Sequence, residues 1–215
     1  KLVKIIRPTI GVFTNIGAAH DENFKSRNDK AFEKMQLFEY TDSLVYCSDY
    51  PEIAREVGFL YIREPKEIFS WSKKNREANL KITSLKIEAN STYINAVFKK
   101  DGINFTIPFT DKANVENVIQ CIAVMLILHY SVEEINKRIS GLNPVAMRME
   151  LLEGVNNCTL ISDVYNSDLD SFEIALDYLH QQRRHLHKTV ILSDIFQTGI
   201  PDDKLYHKIA KMLSR

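Results

Sequence analysis

The apolar run at residues 9–14 opens onto Asn15, Ile16, Gly17, Ala18, Ala19 and His20. The carboxyl end of a strand in an open parallel sheet is where ligands bind, so Thr14, Asn15 and His20 are candidates for a site. His20 is an eligible metal ligand, and equally a loop or helix-capping residue. Lys34 stands in the apolar patch AFEKMQLF, where a lysine ordinarily lays its stem on the patch and keeps its ammonium in water. Asn114 and Asn117 open a long helical pattern. On helix-end preferences Asn114 is its cap and Asn117 a first-turn polar residue, unless both face a ligand. Arg148 follows a run of turn formers, and its guanidinium either clamps a phosphate or pairs with Glu150. Residues 162–168, SDVYNSD, again gather carboxylate, amide and hydroxyl groups after a strand. Capping by Ser167 or Asp168 accounts for only part of that cluster.

These side chains need elements to hold them. Leu2, Ile5 and Ile6 recur at helical spacing before Pro8 stops them, which predicts the tail of a helix begun upstream. Residues 9–14 then read as a strand, 29–38 as a helix, 43–47 as a strand, 51–57 as a helix with proline in its first turn, and 59–62 as a strand. This βαβαβ order predicts a parallel sheet covered by helices. Alternating runs at 80–89, 92–99 and 103–109, with Asn90-Ser91 and Asp101-Gly102 at the turns, predict an antiparallel meander. Helices at 114–129 and 132–139 follow, the second capped by Ser131 with Glu134 completing a capping box. Gly141, Asn143 and Pro144 then interrupt the pattern. It restarts with strands at 149–152 and 159–162, a helix at 171–179, a strand at 190–192 and a closing helix with Leu205, Ile209 and Leu213 on one face. A domain boundary near 143–148 divides the chain into residues 1–145 and 146–215. Both ends look cut from something longer.

Composition narrows the partners. Lys and Arg number 28 and Asp and Glu 28, so no basic excess draws the chain to nucleic acid or to an anionic membrane. A content of 45% hydrophobic and 26% charged residues is that of a soluble globular protein of one or two domains. No apolar run approaches the roughly 20 residues that span a bilayer. Cys47, Cys121 and Cys158 form no CxxC pair and read as reduced, buried small hydrophobes in a reducing compartment, the cytoplasm.

The segments IGVFTNIGAAHDENFKS, AFEKMQLF, NVENV, RME and DVYNSD, with LSDIFQTG near the end, resemble motifs of the Mur ligase family in that family's order. The resemblance implies an α/β fold. Residues 1–145 would be the later part of the central ATP-binding domain, a parallel sheet plus an antiparallel meander. Residues 146–215 would be the first part of a Rossmann-like C-terminal ligase domain. The implied chemistry is ATP-dependent joining of an amine to a carboxylate through an acyl phosphate, with Mg²⁺. Catalytic roles then fall on His20, Lys34 and Arg148. His20 and a carbamylated Lys34 would hold magnesium, whose preference for oxygen suits a carbamate and not an ammonium. Cofactor binding falls on Asn114 and Asn117 near the adenine, Arg148 on the ATP phosphates, and Asp163, Tyr165 and Asn166 close by. Ala113 stands where the family commonly has histidine.

The Tyr165-Asn166 pair resembles the branch that adds D-alanyl-D-alanine to UDP-N-acetylmuramoyl-tripeptide in peptidoglycan synthesis. The diamino-acid-adding branch usually shows an AH pair and a DNPR motif, and neither occurs here. Two alternatives stand beside it. One is another superfamily member, folylpolyglutamate synthase-like or adding a different amino acid; the other is a non-catalytic nucleotide-binding module. The wording NCTLISDVYNSDLDS also resembles the Bacteroidetes form fused to alanine racemase, although no racemase motif is present. No GxxxxGK[ST] loop occurs in the sequence, so the backbone nest for the ATP phosphates is expected upstream of Lys1 and the chain alone is expected to be inactive.

Overall fold

The computed structural model describes residues 2–17, 21–143, 145, 148–165, 168–182, 184–196 and 198–214. They form two compact units, Lys1–Ile16 with Ser26–Leu142, and Gly17–Lys25 with Asn143–Arg215. The chain therefore visits the second unit briefly before settling in it after Leu142.

In the first unit, α1 (Leu2–Ile6) leads to β1 (Ile10–Phe13), α2 (Arg27–Met35), β2 (Ser43–Cys47), α3 (Pro51–Arg63) and β3 (Glu67–Ser72). The three strands are parallel, with Val12, Val45 and Phe69 side by side. β4 (Leu80–Ile87), β5 (Thr92–Phe98) and β6 (Asp101–Ile107) extend the same sheet. β4 meets β3 in parallel only at Trp71–Leu80 and Ser72–Lys81, and β4, β5 and β6 then pair antiparallel. The sheet is thus a mixed α/β sheet in sequential order.

The strand expected at 59–62 is a correction: those residues are the last turns of α3. Ile53, Val57 and Leu60 are the buried apolar residues of α3, a spacing of four and three that puts all of them on one helical face. The third parallel strand is β3, which the sequence reading did not place. α4 (Lys112–Ile127) begins earlier than expected, because Asp111 and not Asn114 is its cap, accepting from Asn114 N. Ser26 caps α2 through Asp29 N, and Ser131 caps α5 (Val132–Ile139) through Glu134 N.

The sheet is covered on both faces. Leu44 packs with Phe13, Ala31, Met35, Ile53 and Leu60 beneath α2 and α3. Its neighbours Val45 and Cys47 point the other way, with Trp71, Ile119 and Ile122 beneath α4. Gly11 is fixed by closeness: a Cβ there would lie 2.5 Å from Phe38 Cδ1. Lys66 ties this layer together, its Nζ donating to the carbonyls of Phe38 at 2.7 Å, Glu39 at 2.7 Å and Thr41 at 3.0 Å. One ammonium thus serves three carbonyls of the turn, of which that of Phe38 also accepts from Thr41 N and Oγ1.

The second unit holds the hairpin β7 (Glu150–Glu153) and β8 (Thr159–Ser162), then α6 (Leu169–Gln181) and α7 (Asp202–Leu213). Asp168 caps α6 in a reciprocal box with Ser171. Leu169, Phe172, Leu176, Ile195, Leu205 and Ile209 make its core. The strand expected at 190–192 is not formed: Ile191 is 93% exposed and no strand is assigned there, because an apolar run becomes a strand only with a partner to bond. Gly199, at φ +67, lets the backbone of Glu22 approach, since a Cβ would sit 3.2 Å from Glu22 Cα.

Candidate functional site

Within the first unit, the carboxyl ends of β1, β2 and β3 meet the early turns of α4. Gln120 of α4 is buried, and its Nε2 donates to the carbonyls of Phe13 at 3.4 Å and Thr14 at 3.3 Å. The helix thereby holds the end of β1, where the sequence placed Thr14 and Asn15. Beyond β2, Asp49 accepts from Ser72 Oγ and from Lys73 N at 2.9 Å. Glu116 accepts from Tyr50 Oη at 2.9 Å and from Lys73 Nζ at 2.6 Å. This carboxylate therefore joins the exits of two strands to α4.

Burial dominates the electrostatics here. It pushes the Cys47 thiol up to about 12. It also raises the Tyr50 phenol, with the Glu116 carboxylate adding repulsion against a phenolate. Among the described residues, Ser48 Oγ, Trp71 Nε1 and Gln120 Oε1 are buried with no hydrogen-bond partner.

The sequence candidates fall as follows. Asn114 donates its Nδ2 to Asp111 Oδ2 at 2.8 Å, and Asn117 is exposed one turn on. Lys34 is exposed in the last turn of α2, whereas Lys30, one turn earlier, is 3% exposed. His20 and Asn166 lie outside the described residues. In the second unit, Arg148 Cζ stands 4.2 Å from the centroid of the Tyr165 ring. Asp163 Oδ1 accepts from Met149 N at 3.3 Å, and Met149 has φ +50. Three residues singled out by type therefore meet in one place: Arg148, Asp163 and Tyr165.

Sequence reasoning missed Asp49, Tyr50, Lys73, Glu116 and Gln120. Asp49 and Tyr50 lie two and three residues past the end of β2, so the rule that singled out Thr14 and Asn15 would have found them. Lys73 was hidden because β3 was. The expectation that all three cysteines are buried fails for two: Cys47 is buried, but Cys121 and Cys158 are exposed, and all three are free.

Residues 1–125 match the family described as the Mur ligase middle domain. The chain is 24% identical to the UDP-N-acetylmuramoyl-tripeptide--D-alanyl-D-alanine ligase of Bacillus subtilis over 99% of its own length and 45% of that protein's. It thus spans less than half of that relative. Its fold is similar to MurF ligase from Thermotoga maritima in complex with ADP, at a TM-score of 0.77 and 17% identity, over 99% of this chain and 48% of that one. MurF from Acinetobacter baumannii gives a TM-score of 0.72 at 21% identity, over 84% and 39%.

Proposed function

Because the chain belongs to the Mur ligase family, we propose that it forms the nucleotide-handling part of an ATP-dependent ligase that joins D-alanyl-D-alanine to UDP-N-acetylmuramoyl-tripeptide in peptidoglycan synthesis. Residues 1–145 are then the later part of the central ATP-binding domain, residues 146–215 the first part of the C-terminal ligase domain, and the setting is the cytoplasm.

The observation that carries this reading is Arg148 stacked on Tyr165 beside Asp163. A guanidinium laid on a ring keeps its planar fork oriented, which suits bidentate contact with phosphate oxygens. Asn117 and the side-chain carbonyl of Asn114 take the adenine. When bound, ATP would supply the phosphoryl group that activates the tripeptide carboxylate, leaving ADP; the amine of D-alanyl-D-alanine would then attack the activated carbonyl carbon, forming the amide as inorganic phosphate leaves. For Mg²⁺ we assign His20 and Lys34. The exposed Lys34 ammonium repels a dication, so the fit requires its carbamate, which presents oxygens.

The test is phosphate release by the complete ligase with D-alanyl-D-alanine, meso-diaminopimelate and glutamate as rival amines. Turnover with D-alanyl-D-alanine is expected. Preference for another amine moves the chain to another branch, and no ATP turnover with any makes it a binding module. The 215-residue chain alone is expected to release no phosphate, since its sequence has no GxxxxGK[ST] loop.

A further inference from the structure

The first unit carries a cavity of about 490 Å³ between the start of β4, the β5–β6 turn and the end of α4. None of its lining residues has a role above. That volume lies within the roughly 300–1,000 Å³ of small-molecule sites. Arg76, Lys81, Lys99 and Lys100 line it, against the carboxylates of Glu67 and Glu77. Among the described residues, none of the four cations is in a salt bridge. Phe98 forms an apolar wall, its ring centroid 5.9 Å from that of Phe69 and 5.2 Å from Lys99 Nζ.

The backbone makes the lining unusual. Lys99 has φ +49 and Lys100 φ +75, and the two alone join Phe98 to Asp101. Positive φ at both central residues is the type I′ hairpin turn, which favours Asn-Gly. His129, at φ +62, follows α4 where its N–H bonds Leu126 O at 3.1 Å and Tyr130 N–H bonds Met125 O at 3.0 Å. That is a Schellman end, whose left-handed residue is usually glycine. Among the described residues of the first unit, every left-handed non-glycine residue except Arg7 lines this one cavity. Where the backbone favours a small residue, the sequence carries Lys, Lys and His.

We propose that this cavity binds a small organic anion, a phosphomonoester or sulfonate on a flat apolar body. The unpaired cations take the anionic group and the Phe98 wall takes the ring. The proposal is independent of the ligase reading.

The 215-residue chain, labelled with ¹⁵N, is titrated with phenyl phosphate, inorganic phosphate and benzyl alcohol while amide shifts are followed. Phenyl phosphate is expected to shift residues 76–81, 97–102 and 129 saturably, with the other two probes weaker. The paired substitution Lys99→Asn and Lys100→Gly restores the favoured turn, so it should raise the melting temperature while lowering phenyl phosphate affinity by about 5-fold or more. Lost binding in a protein that has become more stable cannot come from misfolding. Lys81→Gln, which leaves the turn untouched, should weaken binding in the same direction. The proposal is overturned by shifts that do not saturate, by shifts spread over exposed lysines such as Lys86, or by unchanged affinity in the variants.

Discussion

Arg148 and Tyr165 are stacked, with 4.2 Å from guanidinium carbon to ring centroid, while the residue after Arg148 is held left-handed by Asp163. The pair is exposed, so its contribution to stability is about 0.5–1 kcal/mol. In the complete ligase, Arg148→Ala should lower kcat roughly 10-fold or more, the effect of losing one charge-assisted bond to phosphate. Unfolding of the 215-residue chain should shift by no more than about 1 kcal/mol. Tyr165→Phe keeps the ring and should be near wild type, whereas Tyr165→Ala should raise KM for ATP. Unchanged kinetics for Arg148→Ala would remove the phosphate role.

Lys34 separates metal ligation from ordinary surface packing. Its exposure limits the stability cost of Lys34→Ala to about 0.5 kcal/mol. If its carbamate holds magnesium, that variant loses ligase activity and small carboxylates such as acetate restore part of it. Lys34→Arg keeps the charge and the stem but does not form a carbamate, so it should be inactive. An active Lys34→Arg enzyme refutes the assignment.

Glu116 is a joint between three elements. Its side chain is 12% exposed and its Lys73 partner 31%, so Glu116→Ala leaves two half-buried donors unmet. A loss of about 1–3 kcal/mol follows, read by urea unfolding with Trp71, the sole tryptophan, as fluorophore. Glu116→Gln still accepts one hydrogen bond and should lose clearly less. Equal losses would mean that charge, and not bonding, is what α4 needs.

Burial, with the same carboxylate adding to it, sets an alkaline limit. The Tyr50 phenol titrates higher in the folded state than its ordinary 10.0. The stability that goes with its protonated form is therefore complete below pH 10 and lost as pH rises above it. Cys47, raised from 9.0 to about 12, adds loss of the same sign from pH 9 upward. Unfolding free energy should therefore fall between pH 9 and 11. Cys47→Ala should flatten the start of that fall, and a slope unchanged by this substitution would contradict the assignment.

Thiol labelling gives a further check. Cys47 is buried and should react with a disulfide reagent only on unfolding. Cys158 should react faster than Cys121, whose thiol is raised by partial burial. Equal rates for all three would mean that the sheet does not shield β2.

Periodicity made β1, β2, the three strands of the meander and the Ser131-capped α5 legible, although the turn expected at Asp101-Gly102 falls at Lys99-Lys100 and β3 was not placed. It failed at α3, where Phe59, Tyr61 and Ile62 are strand formers by type. They are exposed on a helix whose hold comes from Ile53, Val57 and Leu60. Tertiary burial outweighed local preference there. At the proposed site, Arg148, Asp163 and Tyr165 could be named because a guanidinium suits phosphate and all three are polar groups beside a break or strand end. Glu116 and Gln120 could not, since an acid and an amide inside a helix gain meaning only from the strand ends packed against them.

The sequential sheet also orders its own assembly. β4, β5 and β6 close through short turns, so each pairing forms at small entropic cost on the microsecond scale of hairpins. β1, β2 and β3 join only across α2 and α3, and Val45, Cys47 and Trp71 gain their cover from α4. On the ribosome the parallel strands are made first yet settle last. Until α4 is made, the face carrying Val45, Cys47 and Trp71 has no helix to cover it.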